Sequence, residues 1–119
     1  YYADPLFSVV IGLFILTRTY KLMKEAIDIL LQATPQNLDV TVVEQTMRSV
    51  PGIESVHDLH VWTLTSGILV MSSHVVVQPG STIEQISDAI RQVNSRLKDQ
   101  FGISHVAIQP ELDGRCSHE

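Results

Sequence analysis

Two hydrophobic regimes divide this chain. Leu6 to Leu16 is an almost unbroken apolar run, interrupted by Ser8 and Gly12. After Tyr20 the pattern turns amphipathic, with Leu22, Ala26, Ile29 and Leu30 at helical spacing. Asp4-Pro5 predicts the start of this first helix, with Asp as N-cap and Pro in the first helical position. Pro35 ends it at or before Thr34, within the linker Ala33-Thr34-Pro35-Gln36-Asn37. Further on the periods shorten. Asp39 caps a helix carrying Val42, Val43, Met47 and Val50, and Pro51-Gly52 stops it. Val56 to Leu64 and Ile68 to Val77 are rich in β-branched and apolar side chains, and Thr65-Ser66-Gly67 breaks them into a hairpin. After Pro79-Gly80, Ser81 and Glu84 form a capping box, Thr82 being the other candidate helix start. The helix carries Ile83, Ile86, Ile90, Val93 and Leu97. Phe101-Gly102 closes it, Ile103 to Gln109 reads as a last strand, and the polar stretch from Pro110 as a loose tail.

The order helix, strand, strand, helix, strand predicts an α+β two-layer sandwich with both helices on one face of a small sheet. Strand 3, returning after a crossover helix, is expected beside strand 1 in a ferredoxin-like arrangement. The division expected is residues 1–36 for the apolar helix and linker, 37–112 for the αββαβ domain and 113–119 for a flexible tail.

The apolar run admits two readings. Eleven residues fall short of the roughly 20 that span a bilayer, which suits a core or interfacial helix. Extended from Tyr1 to Tyr20, the segment reaches a spanning length with Tyr at both ends, where an aromatic belt lies. Arg18, Lys21 and Lys24 would then mark the cytoplasmic side.

Candidate chemistry lies in the hairpin, in Val56-His57-Asp58-Leu59-His60-Val61-Trp62. A two-residue loop at Ser66-Gly67 pairs Thr65 with Ile68 and sets His57 opposite Val76, diagonal to His74. Asp58, His60, Trp62 and Leu64 then share the other face with Leu69, Met71, Ser73 and Val75. A three-residue loop would instead group Asp58 and His60 with His74. Diagonal neighbours are about 7–8 Å apart, close enough for two imidazoles to share a cation. On strand 3, His105, Ala107, Gln109 and Glu111 alternate onto one face. His57, His74 and Glu111 make a nitrogen and oxygen donor set of the kind Zn²⁺, Co²⁺, Ni²⁺ or Mn²⁺ accepts. Polar residues on a solvated sheet face give the same pattern without an ion, since the spacing is not a metal signature. His60 is expected to pack near Trp62, and Trp62 to serve as core or interface anchor.

Composition removes several classes. A formal net charge of −5 argues against nucleic acid, which demands a basic patch. The single cysteine, Cys116, excludes an internal disulfide and fits a reducing compartment. Cys116 and His118 could form an auxiliary ligand pair. The absence of an initiator Met makes Tyr1 look like a cut end.

Ala3-Asp4-Pro5-Leu6, the block from Pro51 to Trp62, Ser73-His74-Val75 and the block from Ile103 to Glu111 resemble the C-terminal part of a cation diffusion facilitator, a family of membrane antiporters exporting Zn²⁺ and related ions against protons. The His-Asp-Leu-His-Val-Trp block, Ser-His-Val and Ile-Gln-x-Glu resemble its zinc, cobalt and cadmium exporters in particular. The resemblance implies that residues 4–22 are the last transmembrane helix, in the inner or plasma membrane. It also implies that a metallochaperone-like αββαβ domain follows in the cytoplasm, forming a homodimer and binding regulatory metal. The ion implied is Zn²⁺ or a relative (Co²⁺, Cd²⁺, Mn²⁺, Fe²⁺). The ligands fall on His57, His74 and Glu111, with His60, His105 and Gln109 as weaker candidates. Gln109 stands where the family commonly has His, so a single ion is expected rather than a pair. The transport site of such proteins lies on earlier helices, outside this sequence. A soluble ferredoxin-like ligand sensor is the alternative reading. A zinc hydrolase is the weakest, because Asp58 lies on the opposite parity from His57 and is badly placed as a general base; no enzyme activity is expected.

Overall fold

The computed structural model describes residues 1–112. It divides into two compact units, Tyr1–Ala33 and Thr34–Glu119. The first is one helix, α1 (Ala3–Leu30), with no buried residue. Its apolar stretch has a mean hydropathy of 1.5, so its length and composition suffice to cross a membrane. Twenty-eight residues make about 42 Å of helix, more than the roughly 30 Å of a hydrocarbon core. Asp4 does not cap this helix. Tyr2 takes the N-cap position without a side-chain bond, and Asp4 lies inside the first turn. There its charge still complements the positive end of the helix dipole.

The second unit contains α2 (Val40–Arg48), β1 (Ile53–Thr65), β2 (Ile68–Val77), α3 (Ile83–Phe101) and β3 (Ile103–Glu111). Asp39 caps α2 as expected, its carboxylate accepting from Thr41 N–H at 2.9 Å. On α3 the cap is Thr82 rather than Ser81: Thr82 Oγ1 accepts from Gln85 N–H, and the Gln85 side chain accepts from Thr82 N–H. The Ser81/Glu84 box is thus displaced by one residue; Ser81 instead bonds back to the Gln78 carbonyl. Gly102 ends α3 at φ 67°, a left-handed conformation that costs glycine nothing.

The sheet order is β1-β2-β3, with β1 and β2 antiparallel and β2 and β3 parallel. The expectation that strand 3 adjoins strand 1 is therefore corrected. β2, α3 and β3 form a βαβ unit, and consecutive elements of such a unit pair directly, which makes β2 the central strand. One layer of helices covers one sheet face, so the α+β two-layer αββαβ sandwich stands as read. Val43 and Met47 of α2 and Ala89, Val93 and Leu97 of α3 meet Val56, Val61, Met71, Val75, Val77 and Ile103 from the strands. Each of these side chains except Ala89 contributes roughly 1.5–3 kcal/mol by leaving water. The α3 stripe is rotated from the expected one: Ala89 joins the core, Ile86 packs at its margin, and Ile83 is exposed. Among the described residues, the buried core lies between 43 and 103, so this unit has what it needs to fold without α1.

β1 has thirteen residues against ten in β2, and the three extra residues are bulges. Pairing slips between Ile53 and Ser55, between His57 and His60, and between Thr63 and Thr65. Each slip moves the following side chains to the opposite face of a strictly alternating strand. The middle one is marked by Asp58, whose φ of +50° is left-handed.

Candidate metal centre

The two-residue loop at Ser66-Gly67 is present and Thr65 does pair with Ile68. The bulges then change everything downstream of it. His57 pairs directly with His74, not with Val76, so the two imidazoles are immediate cross-strand neighbours. Their ring centroids are 5.4 Å apart. The face assignment of the middle of β1 is also corrected. Val61 pairs with Met71 in the core, while His60 pairs with Ser72 and Trp62 with Val70.

The sheet face opposite α2 and α3 therefore presents rows of three. Ser55, Val76 and Glu111 form one; His57, His74 and Gln109 the next; His60, Ser72 and Ala107 the third; Trp62, Val70 and His105 the last. Glu111 stands one row from the imidazole pair and reaches both rings. Its Oε1 lies 2.7 Å from His74 Nδ1, and its Oε2 lies 3.2 Å from His57 Nε2. Gln109 Nε2 donates to Oε1 at 3.3 Å. All three groups are part-buried, and the Glu111 side chain is only 14% exposed.

The donor set suits a divalent ion. One ligand atom from each of His57, His74 and Glu111 lies within 4.8 Å of the others. A tetrahedral Zn²⁺ with bonds of about 2.0–2.1 Å holds its ligand atoms roughly 3.4 Å apart, so small side-chain rotations would close the set. Among the described residues, Oε2 of Glu111 is buried with no hydrogen bond, and its polar neighbour is His57 Nε2 at 3.2 Å. A cation between this oxygen and the imidazoles would complete the coordination of a carboxylate that is largely shielded from water. Three protein ligands leave a fourth position for water or a further group.

His60 and His105 are exposed and stand one and two rows from the imidazole pair, outside the cluster. Asp58, His60, Ser72, His74 and Gln109 instead help line a shallow depression of about 530 Å³ beside it. Cys116 and His118 lie outside the described residues.

A profile of the cation efflux protein cytoplasmic domain matches residues 35–113. The chain belongs to the cation efflux protein family. This bears out the resemblance to cation diffusion facilitators. The chain is 38% identical over 112 residues to a cadmium, cobalt and zinc/H(+)-K(+) antiporter of Bacillus subtilis, covering 94% of this chain and 36% of that protein. It is 38% identical over 111 residues to the metal cation efflux system protein CzcD of Cupriavidus metallidurans, covering 93% and 34%. The chain thus spans about a third of the length of these relatives. Its fold matches the metal-bound C-terminal domain of the CzcD transporter from Cupriavidus metallidurans with a TM-score of 0.57 and 39% identity, covering 63% of this chain and all of that one.

Direct opposition of the two histidines was not evident from a flat-strand reading, though a signal existed. Val56 and Val61 are both core residues five positions apart. Regular alternation puts an odd spacing on opposite faces, so a bulge must lie between them.

Proposed function

We propose that this chain is the C-terminal part of a membrane exporter of Zn²⁺ or a related divalent ion such as Cd²⁺ or Co²⁺. In this reading α1 is a membrane-spanning helix. The Thr34–Glu119 unit is a cytoplasmic domain that binds a regulatory ion and dimerises. The convergence of His57, His74 and Glu111 on one point of the sheet face opposite α2 and α3 carries the proposal. Imidazole nitrogen and carboxylate oxygen are the donors that Zn²⁺ and its neighbours accept. The names of two relatives, a cadmium, cobalt and zinc/H(+)-K(+) antiporter and a metal cation efflux system protein, support the choice of ion. We read the role as binding rather than catalysis, because both imidazoles lie against the Glu111 carboxylate, a set of metal donors. A second copy is the partner expected for the sheet face opposite α2 and α3, where Trp62 and Val70 lie in one row and His57 and His74 in another. A two-fold arrangement would bring both ion sites close, and an ion then favours whichever arrangement it binds better.

Isothermal titration of residues 34–119 with Zn²⁺ tests the site. Wild type should bind, and His74→Ala and Glu111→Ala should each weaken binding by at least tenfold. Equal affinity in all three would remove these residues from the site. Sedimentation with and without Zn²⁺ tests the partner: a monomer in both conditions at high concentration would end the dimer reading. A topology reporter fused after Glu119 should read cytoplasmic, following the bias set by Arg18, Lys21 and Lys24; a signal from the far side would reverse the orientation.

A further inference from the structure

The two oxygens of Glu111 are held differently. Oε1 accepts from Gln109 Nε2 at 3.3 Å and lies 2.7 Å from His74 Nδ1. Oε2 is buried, has no hydrogen bond among the described residues, and faces His57 Nε2 at 3.2 Å. Gln109 pairs with His74 in the β2–β3 register, and Glu111 follows two residues later on the same face. An ionised carboxylate is an acceptor only, so the amide of Gln109 must turn its NH₂ toward it. That orientation commits Gln109 to the carboxylate rather than to an ion.

We infer that Gln109 is a positioning residue that keeps Glu111 monodentate and thereby sets the ion preference of the site. The inference rests on the ion-site reading above and adds to it a determinant of selectivity. A four-coordinate Zn²⁺ is satisfied by one carboxylate oxygen at about 2.0–2.2 Å, and Oε2 supplies it. Larger ions gain from both oxygens of one carboxylate, as Ca²⁺ does at about 2.3–2.6 Å. Cd²⁺ is larger than Zn²⁺ and accepts higher coordination numbers. To chelate Glu111 through both oxygens it must strip the Gln109 N–H from Oε1. The hydrogen bond therefore opposes the larger ion and orients the carboxylate for the smaller one. Outer groups that fix a ligand in this way change metal affinity by roughly 10–100-fold when removed.

The test compares residues 34–119 with the Gln109→Leu variant, which has similar bulk at an exposed position and no donor. Urea midpoints check that both fold equally well. Zn²⁺ and Cd²⁺ affinities are measured by chelator competition, and Co²⁺ serves as a visible probe of coordination number. The variant should lose at least tenfold in Zn²⁺ affinity while Cd²⁺ affinity changes less than threefold. Its Co²⁺ complex should lose visible intensity as the four-coordinate form gives way to a higher one. Parallel losses for both ions with an unchanged Co²⁺ spectrum would make Gln109 mere scaffold and overturn the inference, as would no change at all. If wild type binds no Zn²⁺, or binds it equally after His74→Ala, the site reading fails and this inference with it. If His74→Ala abolishes binding but Gln109→Leu leaves the Zn²⁺/Cd²⁺ ratio intact, only the inference fails.

Discussion

Asp58 is where the backbone of β1 decides the site. Its φ of +50° places it in the left-handed region, inside the bulge between the His57/His74 and His60/Ser72 pairs. For most L-residues that conformation costs roughly 1–2 kcal/mol. Asp and Asn tolerate it better, glycine adopts it freely, and a β-branched residue there is an outlier. Asp58→Asn serves as the reference, because it removes the charge while keeping the conformational tolerance. Relative to it, Asp58→Gly should lie within about 1 kcal/mol in urea-unfolding stability, its easier φ being offset by unfolded-state entropy. Asp58→Val should lose roughly 2 kcal/mol, since every side chain beyond the bulge depends on that one left-handed residue. Zn²⁺ titration supplies the second readout. The Asn and Gly variants should bind alike, and the Val variant about tenfold more weakly, because straightening β1 would move His57 away from His74. Equal stability and equal affinity for Asp58→Val and Asp58→Asn would refute the claim that this bulge builds the site.

Other outcomes follow from the same structure. Thr82→Ala should destabilise the domain by about 1 kcal/mol, the usual worth of an N-cap, whereas Ser81→Ala should cost less; the reverse ranking in urea unfolding would restore the cap to Ser81. Ser73 is 2% exposed and its Oγ has no hydrogen-bond partner among the described residues. Ser73→Ala should therefore stabilise the domain by roughly 1 kcal/mol, relieving a buried unpaired hydroxyl; a loss of similar size would show that the hydroxyl has a partner. Leu97 is fully buried between α3 and the sheet, and Leu97→Ala should cost about 2–5 kcal/mol in the same assay, a cost under 1 kcal/mol contradicting its place in the core.

The sequence carried the elements, the layers and the three ligand candidates, but not the strand order or the pairing that joins them. Periodicity and breakers were enough for the elements because Pro51-Gly52, Ser66-Gly67, Pro79-Gly80 and Gly102 punctuate the unit, and each of these glycines takes positive φ or sits in a turn. Strand order follows from β2-α3-β3 closing as a βαβ unit whose strands are neighbours, and helix and strand periodicity alone does not distinguish that closure from a return beside β1. Register was missed for a different reason. Bulges are set by local backbone conformations such as that of Asp58, and an Asp between two apolar-flanked histidines looks the same on a flat strand as on a bulged one. The membrane reading of α1 was legible only in part from its residues, since Leu6 to Leu16 alone is too short and the helix had to be continued through Arg18. Glu111 and Gln109 were legible as a face by simple alternation. Their hydrogen bond was not, because it depends on which oxygen of the carboxylate faces which ring.

In the proposed function one divalent ion is held where β1, β2 and β3 bring His57, His74 and Glu111 together. Diffraction from crystals of residues 34–119 grown with Zn²⁺, with anomalous data at the zinc edge, locates the ion without reference to affinity. A single peak per subunit is predicted at this point, about 2.0–2.2 Å from one imidazole nitrogen of each histidine and one oxygen of Glu111. A zinc peak bound by His60 or His105 instead, with His57, His74 and Glu111 still paired among themselves, would contradict it.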